Sequence, residues 1–367
     1  MPWMAGIRVV LFLLGALLVA TTLRSAVRTF ILPRASNTLI ARWVFRTVGA
    51  AFRWRAGKAH SYEASDRAME LLAPIALLVL PAVWLVLVGL GYMGMYLGLG
   101  IASIEQAFSL SGSSLLTLGT MPPTGWFVTL LAFSEATIGL ALIALLIAYL
   151  PTMYAAFSRR EAAVAMLEVR AGSPPSAFTM LERYHRLHRL DKLGEVWTAW
   201  ETWFADIEES HTSLAALVFF RSPQPHRSWV TAAGAVLDAA SLTASSLDIP
   251  RDVQADLSIR AGYLALREIA AFFDIAYDPD PQPGGPISIG RGEYDAVCDH
   301  LAELGLPIKP DRDQAWRDFV GWRVNYDAVL LGLARLTLAP YAPWSSDRSA
   351  IGAGGAATSS LKSAPPS

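Results

Sequence analysis

The sequence predicts an all-helical membrane protein with three transmembrane helices and a cytosolic helical domain, and three observations support this fold class. Residues 69–158 contain no Lys, Arg or Asp and only three Glu. Residues 1–68 carry ten Lys and Arg against two acids, a net charge of +8 in a chain whose net charge is −1. From about residue 173 onward, apolar residues recur at helical spacing among charged ones. Because soluble proteins are about a quarter charged, the charge-poor stretch is expected to face lipid.

The first segment, residues 1–23, is predicted to be a transmembrane helix whose N-terminus lies outside the cell. Residues 24–58 contain eight Lys and Arg and no acid. Such a block stays on the cytoplasmic side under the positive-inside rule. A cleaved signal peptide would place this block outside, so a retained transmembrane helix is favoured.

Residues 24–68 are predicted to form a basic segment in the cytosol or at the membrane interface. Its aromatic residues, which alternate with arginines, are Trp43, Phe45, Phe52 and Trp54. An amphipathic helix lying in the membrane interface has this composition, and so does a helix packed on the cytosolic domain. The positive charge indicates either contact with an anionic membrane surface or an orientation signal alone, rather than nucleic-acid binding.

Residues 69–158 are predicted to hold the other two transmembrane helices, an outer helix over residues 70–98 and an inner helix over residues 126–157. Gly94 and Gly98 form a pair of small residues that permits close contact with another helix.

Each crossing reverses the direction of the chain, so the bulk of the protein is expected on the cytosolic side of the cell membrane. Residues 159–345 are predicted to form a cytosolic helical domain. Residues 346–367 consist mainly of Ser, Ala, Gly and Pro and are predicted to be a disordered tail.

The segment between the outer and inner helices does not fit an ordinary loop. Residues 103–116 are too short and too polar to cross a bilayer, yet too apolar for an exposed loop. They are predicted to form a half-helix that enters the membrane, with residues 117–121 as the returning strand. Non-helical backbone at membrane depth is tolerated only when it is buried in protein or lines water. Several copies of the chain around a shared cavity are therefore expected.

The order of these elements resembles the two-transmembrane potassium channels, over under a third of the chain. Their selectivity filter reads Thr-Val-Gly-Tyr-Gly-Asp, and its backbone carbonyls replace the hydration shell of the ion. Thr117 matches the threonine of this filter, Leu118 the valine and Gly119 the first glycine. Thr120 stands where the family has tyrosine, and the second glycine and the aspartate are absent. Gly139 matches the hinge glycine of the inner helix.

The resemblance implies a pore-loop fold and a homotetramer that conducts a monovalent cation, potassium in the family. The carbonyl groups of Thr117, Leu118 and Gly119 would line the ion pathway, Thr120 would extend it, and Gly139 would permit bending of the inner helix. The shorter filter provides fewer stacked carbonyls, so potassium selectivity is not implied to the same degree as the architecture.

Glu135 is a carboxylate placed two to three turns inside the predicted inner helix, where a charge is costly. One interpretation is support of the filter-like segment from behind or a place in the outer vestibule. The other is a hydrogen-bonded structural glutamate between subunits.

The sequence offers no motif that indicates an enzyme, a cofactor or a metal site. Two Glu-x-x-His spacings occur, Glu182 with His185 and Glu208 with His211, and both are interpreted as polar helix faces. An Arg–Asp pair, Arg323 with Asp327, is expected to be buried. The competing function class is a membrane-anchored scaffold or sensor, in which the transmembrane helices only tether the soluble domain.

Overall fold

The computed structural model describes residues 2–30, 39–56 and 69–348, and the regular elements within these ranges are helices. The α-helices are α1 Pro2–Phe30, α2 Leu39–Ala56, α3 Leu72–Gly98, α4 Ile104–Leu115, α5 Trp126–Ala171, α6 Ala177–Arg186, α7 Leu193–Ser213, α8 Trp229–Ser246, α9 Val253–Phe272, α10 Arg291–Glu303, α11 Arg312–Arg323 and α12 Asp327–Thr337. Three short 3₁₀ helices cover Leu190–Lys192, Ala215–Phe219 and Ser346–Arg348. The predicted all-helical class is confirmed.

Three of these helices are long and apolar enough to cross a membrane: Ala5–Phe30 within α1, Leu72–Gly98 and Trp126–Ala171. Their apolar surfaces are largely uncovered, since only 17% of the most apolar window of α1 and 22% of that of α5 is buried inside the chain. Apolar surface of this extent requires lipid or other protein. The prediction of a membrane protein is confirmed at this level.

The inner helix does not end near residue 157, as the sequence suggested, but continues through Pro151 to Ala171. Residues 159–171 are rich in Ala, Glu, Arg, Met and Leu, which favour helix, and contain no Gly or Pro. The helix stops where Gly172 adopts a φ of +85°. The change from apolar to charged composition after residue 158 therefore does not mark the end of the helix.

Helix α3 runs antiparallel to both α1 and α5. Near the end of α3, Gly98 lies against Arg8 at the start of α1, whereas Trp84 donates a hydrogen bond to Ser25 of α1 at 3.3 Å. Tyr96, also near the end of α3, donates to Glu135 near the start of α5. The three long helices thus alternate in direction along the chain.

Glycines allow α1 and α3 to pack closely. A Cβ added to Gly91 would lie 2.7 Å from Cγ2 of Val19, and one added to Gly98 would lie 2.7 Å from the carbonyl oxygen of Arg8. One added to Gly94 would lie 3.3 Å from a backbone oxygen of α1. The small-residue pair in the sequence therefore marks the contact with α1.

The chain divides into two compact units, and the division departs from the predicted domain boundary. The first unit comprises Met1–Glu161 together with Ile207–Arg221, and the second comprises Ala162–Asp206 together with Ser222–Ser367. Residues 207–221, assigned from sequence to the cytosolic domain, belong instead with the long apolar helices. Composition does not reveal this, because the segment is only moderately apolar.

In the second unit, α8 is the central helix and nearly all of its residues are buried. Its sequence is rich in Ala, Ser and Gly, so neighbouring helices can approach its backbone closely. Helices α9 and α11 pack against α8, with α6 and α12 beside them. Residues 279–286, which include several prolines, lie outside the helices.

A buried ionic network lies at the centre of the second unit and confirms the expected Arg–Asp pair. Arg323 Nε donates to Asp327 Oδ1 at 2.8 Å and also pairs with Asp238 on α8. Tyr326 donates to Asp238 at 2.9 Å. Burial by itself lowers the pKa of Arg323, because it disfavours the charged guanidinium. The attraction of the two carboxylates outweighs this effect, so the pKa of Arg323 is raised. The charged side chains of this network are paired with opposite charges and hydrogen-bond partners. Such pairing makes buried charges tolerable.

At the C-terminus, Ser346–Arg348 forms a 3₁₀ helix with Ser346 buried, so the predicted disordered tail does not begin at residue 346. The remainder of that tail lies outside the described residues. The same holds for residues 31–38 and 57–68 of the basic segment.

Candidate functional site

Helix α4 lies between α3 and α5 and points its C-terminal end toward Gly139, in the first third of α5. Its first turn is fixed by Ser103, whose side chain accepts a hydrogen bond from the backbone N–H of Gln106 at 3.1 Å. At its other end, the carbonyl group of Leu115 lies directly against Gly139. Gly139 is thirteen residues after Trp126, which corresponds to about 20 Å along the helix axis.

Gly139 provides the space for this contact. A Cβ at this position would clash with the Leu115 carbonyl oxygen, which is backbone and cannot rotate away. The sequence indicated Gly139 as a hinge, and the structure gives the glycine a second physical reason. The hinge role stays a prediction.

Glu135 holds α4 to its two neighbours from a fully buried position. Its carboxylate accepts hydrogen bonds from Ser111 of α4 at 2.5 Å and from Tyr96 of α3 at 2.8 Å. Ser111 Oγ also lies 3.1 Å from the carbonyl oxygen of Gly89 on α3. Glu135 therefore lies buried between α3, α4 and α5, and its partners belong to the same chain. Its role relative to the filter-like segment stays a prediction.

Sequence reasoning missed Ser111 and Tyr96 as partners of Glu135. Serine and tyrosine are common in apolar helices. Neither Ser111 in the middle of α4 nor Tyr96 near the end of α3 is therefore distinguished by the sequence. The available signal was the carboxylate itself, because a buried charge requires donors, but the sequence does not say which donors lie near it.

The chain leaves α4 through a tight turn that is capped by its own backbone. The N–H of Leu118 donates to the carbonyl of Ser113 at 2.9 Å, and the N–H of Thr117 to that of Ser114 at 3.1 Å. This is the pattern of a helix end whose first outside residue is left-handed. Thr117 has that conformation, with φ of +54°, although β-branched residues adopt it rarely.

The four consecutive residues that the sequence nominated for the ion pathway, Thr117, Leu118, Gly119 and Thr120, are all exposed. Gly119 has φ of +68°, and a Cβ there would meet nothing within 4 Å. Within the described part of the chain, the carbonyl oxygens of these four residues accept no hydrogen bond. Met121 then anchors the returning chain, because its N–H donates to Ser113 Oγ at 3.1 Å.

This arrangement can attract cations. The C-terminal end of a helix carries a partial negative charge, and α4 directs that end toward the segment with the unpaired carbonyls. Carbonyl oxygens are hard ligands that suit alkali and alkaline-earth cations. Of the six nominated residues, four are exposed and two are buried. The exposed ones are Thr117, Leu118, Gly119 and Thr120, and the buried ones are Glu135 and Gly139.

A second feature that sequence reasoning missed is the buried guanidinium of Arg160 near the far end of the first unit. Arg160 donates to the carbonyls of Leu217 at 2.8 Å and Phe220 at 2.7 Å and pairs with Glu161 at 2.8 Å. In the sequence, Arg159 and Arg160 directly follow the charge-poor stretch, a position typical of the basic flank of a transmembrane helix. Arg160 instead attaches the segment Ile207–Arg221 to α5.

His211 completes this attachment. Its Nε2 lies 3.2 Å from Nη1 of Arg160, and because a guanidinium only donates, Nε2 must accept. Burial, and then the charge of Arg160, lower the pKa of His211 well below its usual range. His211 is therefore a neutral acceptor, and neither Glu-x-x-His pair belongs to a group of three metal-ligating side chains among the described residues.

Comparison of the chain with models of protein families, with curated proteins and with solved structures gives no match.

Proposed function

We propose that this protein conducts a monovalent cation passively through a pore formed by four copies of the chain. The backbone carbonyl groups of Thr117, Leu118, Gly119 and Thr120 line the narrow part of the pathway. Helix α4 acts as a pore helix, α3 as the outer helix and α5 as the inner helix. The protein is a multi-pass protein of the cell membrane, with its C-terminal half in the cytosol.

One observation carries the proposal: a non-helical, exposed segment with unpaired carbonyl groups follows directly on a helix end about 20 Å along α5 from its start. If the apolar part of α5 crosses a hydrocarbon core of about 30 Å, the segment lies well inside the membrane. A backbone polar group without a partner costs several kcal/mol in lipid. Four consecutive carbonyls therefore need water or ions at that depth.

Water at that depth requires more than one chain. A single copy would expose residues 117–120 to lipid, whereas copies arranged around an axis can enclose an aqueous space. The exposed apolar surface of α5, including Phe133, Leu140 and Ile147, offers a face for contact between copies. The proposed homotetramer follows the resemblance to the potassium channels.

The charge distribution supports the proposed orientation. Arg24 and Arg28 lie in the last two turns of α1, and α2 carries further arginines. These cations lie at the opposite end of the first unit from residues 117–120. The positive-inside rule then places the filter-like segment on the outer side.

Ion selectivity in the proposed pore depends on the number of carbonyl groups that line the pathway. Each filter carbonyl replaces part of the hydration shell of the ion, and this segment is about three residues shorter than the filter of the family. Potassium is the first cation to test, with sodium beside it.

The test is cation flux in liposomes that contain the purified protein, compared with empty liposomes. Replacement of Gly119 by Val is expected to abolish the flux, because a β-branched side chain is strained at positive φ and narrows the pathway. Gly125→Val is the matched control, since Gly125 also has positive φ and open space around it but lies at the start of α5. The control variant is expected to conduct.

The same experiment separates conduction from the tether hypothesis. A membrane-anchored scaffold or sensor gives no flux above that of empty liposomes, and substitutions at residues 117–120 leave its behaviour unchanged. Flux in the wild type that is lost equally in both variants would indicate general damage and would remove the assignment of the pathway to Gly119.

A further inference from the structure

Helix α2 presents an aromatic and basic face to the surroundings of the chain. Trp43 and Trp54 are 64% and 67% exposed, and Leu39 at the start of the helix is 79% exposed. On the opposite face, Val44 is buried and Phe45 packs against the apolar core of the first unit. One side of α2 therefore packs against the rest of the first unit, and the two tryptophans face away from that unit.

Arginines border this exposed face and have no acidic partner. Within residues 2–30, 39–56 and 69–348, neither Arg42 nor Arg46 forms an ion pair or a hydrogen bond. Arg42 is partly buried, and its Nε is shielded from solvent without a partner. Because the two arginines are one helical turn apart, their guanidinium groups lie along one edge of the helix.

The end of α1 adds to the same charge. Arg24 and Arg28 are also one turn apart and also lack an acidic partner among the described residues. Helix α2 packs against α1 and against α3, and Phe45 stacks on Phe219, beside the residues where α3 begins. In the described part of the chain, four guanidinium groups without an acidic partner thus lie at one end of the first unit.

We propose that the exposed face of α2 binds the headgroup of an anionic phospholipid of the membrane that the long helices cross. Guanidinium groups bind phosphate with two parallel hydrogen bonds, and Arg42 and Arg46 supply two such groups on one helix edge. Trp43 and Trp54 suit the boundary between headgroups and acyl chains, where tryptophan is enriched. Each basic residue near an anionic bilayer adds attraction. Lipid binding at this face is independent of ion conduction.

The test measures the melting temperature of the full chain in detergent, with phosphatidylglycerol or phosphatidylcholine added in equal amounts. A ligand that binds only the folded protein raises the melting temperature by an amount that grows with the logarithm of one plus the ratio of the free ligand concentration to Kd. Phosphatidylglycerol is expected to raise it more than phosphatidylcholine does. The double variant Arg42→Gln/Arg46→Gln is expected to bind phosphatidylglycerol about tenfold more weakly or worse.

The matched control is Arg186→Gln/Arg260→Gln, which removes two exposed arginines from the second unit and is expected to keep the preference. A salt titration of the wild type supplies a measurement that needs no variant, since screening should weaken the preference for phosphatidylglycerol. Equal effects of the two lipids on the wild type would overturn the proposal. A preference that persists in Arg42→Gln/Arg46→Gln, or that salt leaves unchanged, would also overturn it.

Discussion

At the residue scale, Thr117 is a position where the backbone conformation does not suit the side chain. Its φ of +54° is a left-handed conformation that costs an L-residue about 1–2 kcal/mol, and a β-branched residue adopts it with particular difficulty. Strain of this kind is retained where the surrounding structure imposes it, often at functional positions. At Thr117 the turn that ends α4 imposes it.

Thr117→Gly is therefore expected to raise the stability of the protein. Glycine removes the Cβ penalty of about 1–2 kcal/mol and adds a backbone entropy cost of about 0.5–1 kcal/mol, so the net gain should be at most about 1.5 kcal/mol. Thr120→Gly, which lacks a positive φ to relieve, should lower stability. The measurement is the melting temperature of each variant in detergent. If the melting temperature falls as much for Thr117→Gly as for Thr120→Gly, the backbone at Thr117 is not strained.

In the candidate site, the sequence could nominate residues that are consecutive in the chain, but not residues that packing brings together. Thr117, Leu118, Gly119 and Thr120 follow from the position of one short motif between two apolar helices. The partners of Glu135, which are 24 and 39 residues away, do not follow, because hydrogen bonds across helices depend on packing that spacing does not encode. The same is true of Arg160, whose burial depends on a segment more than fifty residues later.

At the element scale, the packing of α4 into the angle between α3 and α5 depends on Gly139. The position has no room for even one methyl group, because the nearest atom is the backbone oxygen of Leu115. Any larger side chain has to push the end of α4 away from α5. That displacement would also move the filter-like segment.

Gly139→Ala is expected to lower the free energy of unfolding by about 1–3 kcal/mol, the usual cost of overpacking, and to reduce cation flux. Gly112→Ala is the control, since a Cβ at Gly112 meets nothing within 4 Å and alanine favours helix. The control should be as stable as the wild type or more so. Thermal melting and flux in liposomes check both; equal stability of Gly139→Ala and wild type would contradict the close contact.

The helices themselves were predictable, because long apolar runs and helical periodicity are local properties. The three long helices and the short helix between the second and third of them appear at the expected places. The end of α5 and the assignment of residues 207–221 to the first unit were not predictable. Both depend on which surface a segment packs against. In the sequence, Arg160 resembles the basic residue that commonly flanks a transmembrane helix, because its buried partners are distant along the chain.

At the scale of the whole molecule, the attachment of Ile207–Arg221 to the first unit should depend on pH through His211. Its pKa lies well below the usual range in the folded state and near 6.5 in the unfolded chain. The unfolded state therefore takes up a proton first as the pH falls, and stability is lost below about pH 6.5.

Between pH 7.5 and 5.5, the wild type is expected to lose about 1 kcal/mol more stability than His211→Gln. Glutamine cannot be protonated in this range, yet its side-chain oxygen can accept from Arg160. Melting curves of the two proteins at each pH provide the measurement. Parallel loss of stability in both would show that His211 does not carry the effect.

The distribution of charge over the whole chain links the fold to the proposed function. A charge-poor stretch of ninety residues, 69–158, forms two of the long helices and the segment between them. Arg24, Arg28 and the described arginines of α2 lie at the end of the first unit opposite that segment, whereas Arg8 lies beside Gly98 and Gly100. Under the proposed function, the non-helical segment between these helices contacts water or ions inside an assembly of copies.

The most direct measurement is an experimental structure of the full chain in lipid nanodiscs. Four chains are expected around a common axis, with residues 117–120 of each facing that axis within the thickness of the bilayer. A single chain surrounded by lipid, or a filter-like segment that lies on the outer membrane surface, would contradict the account.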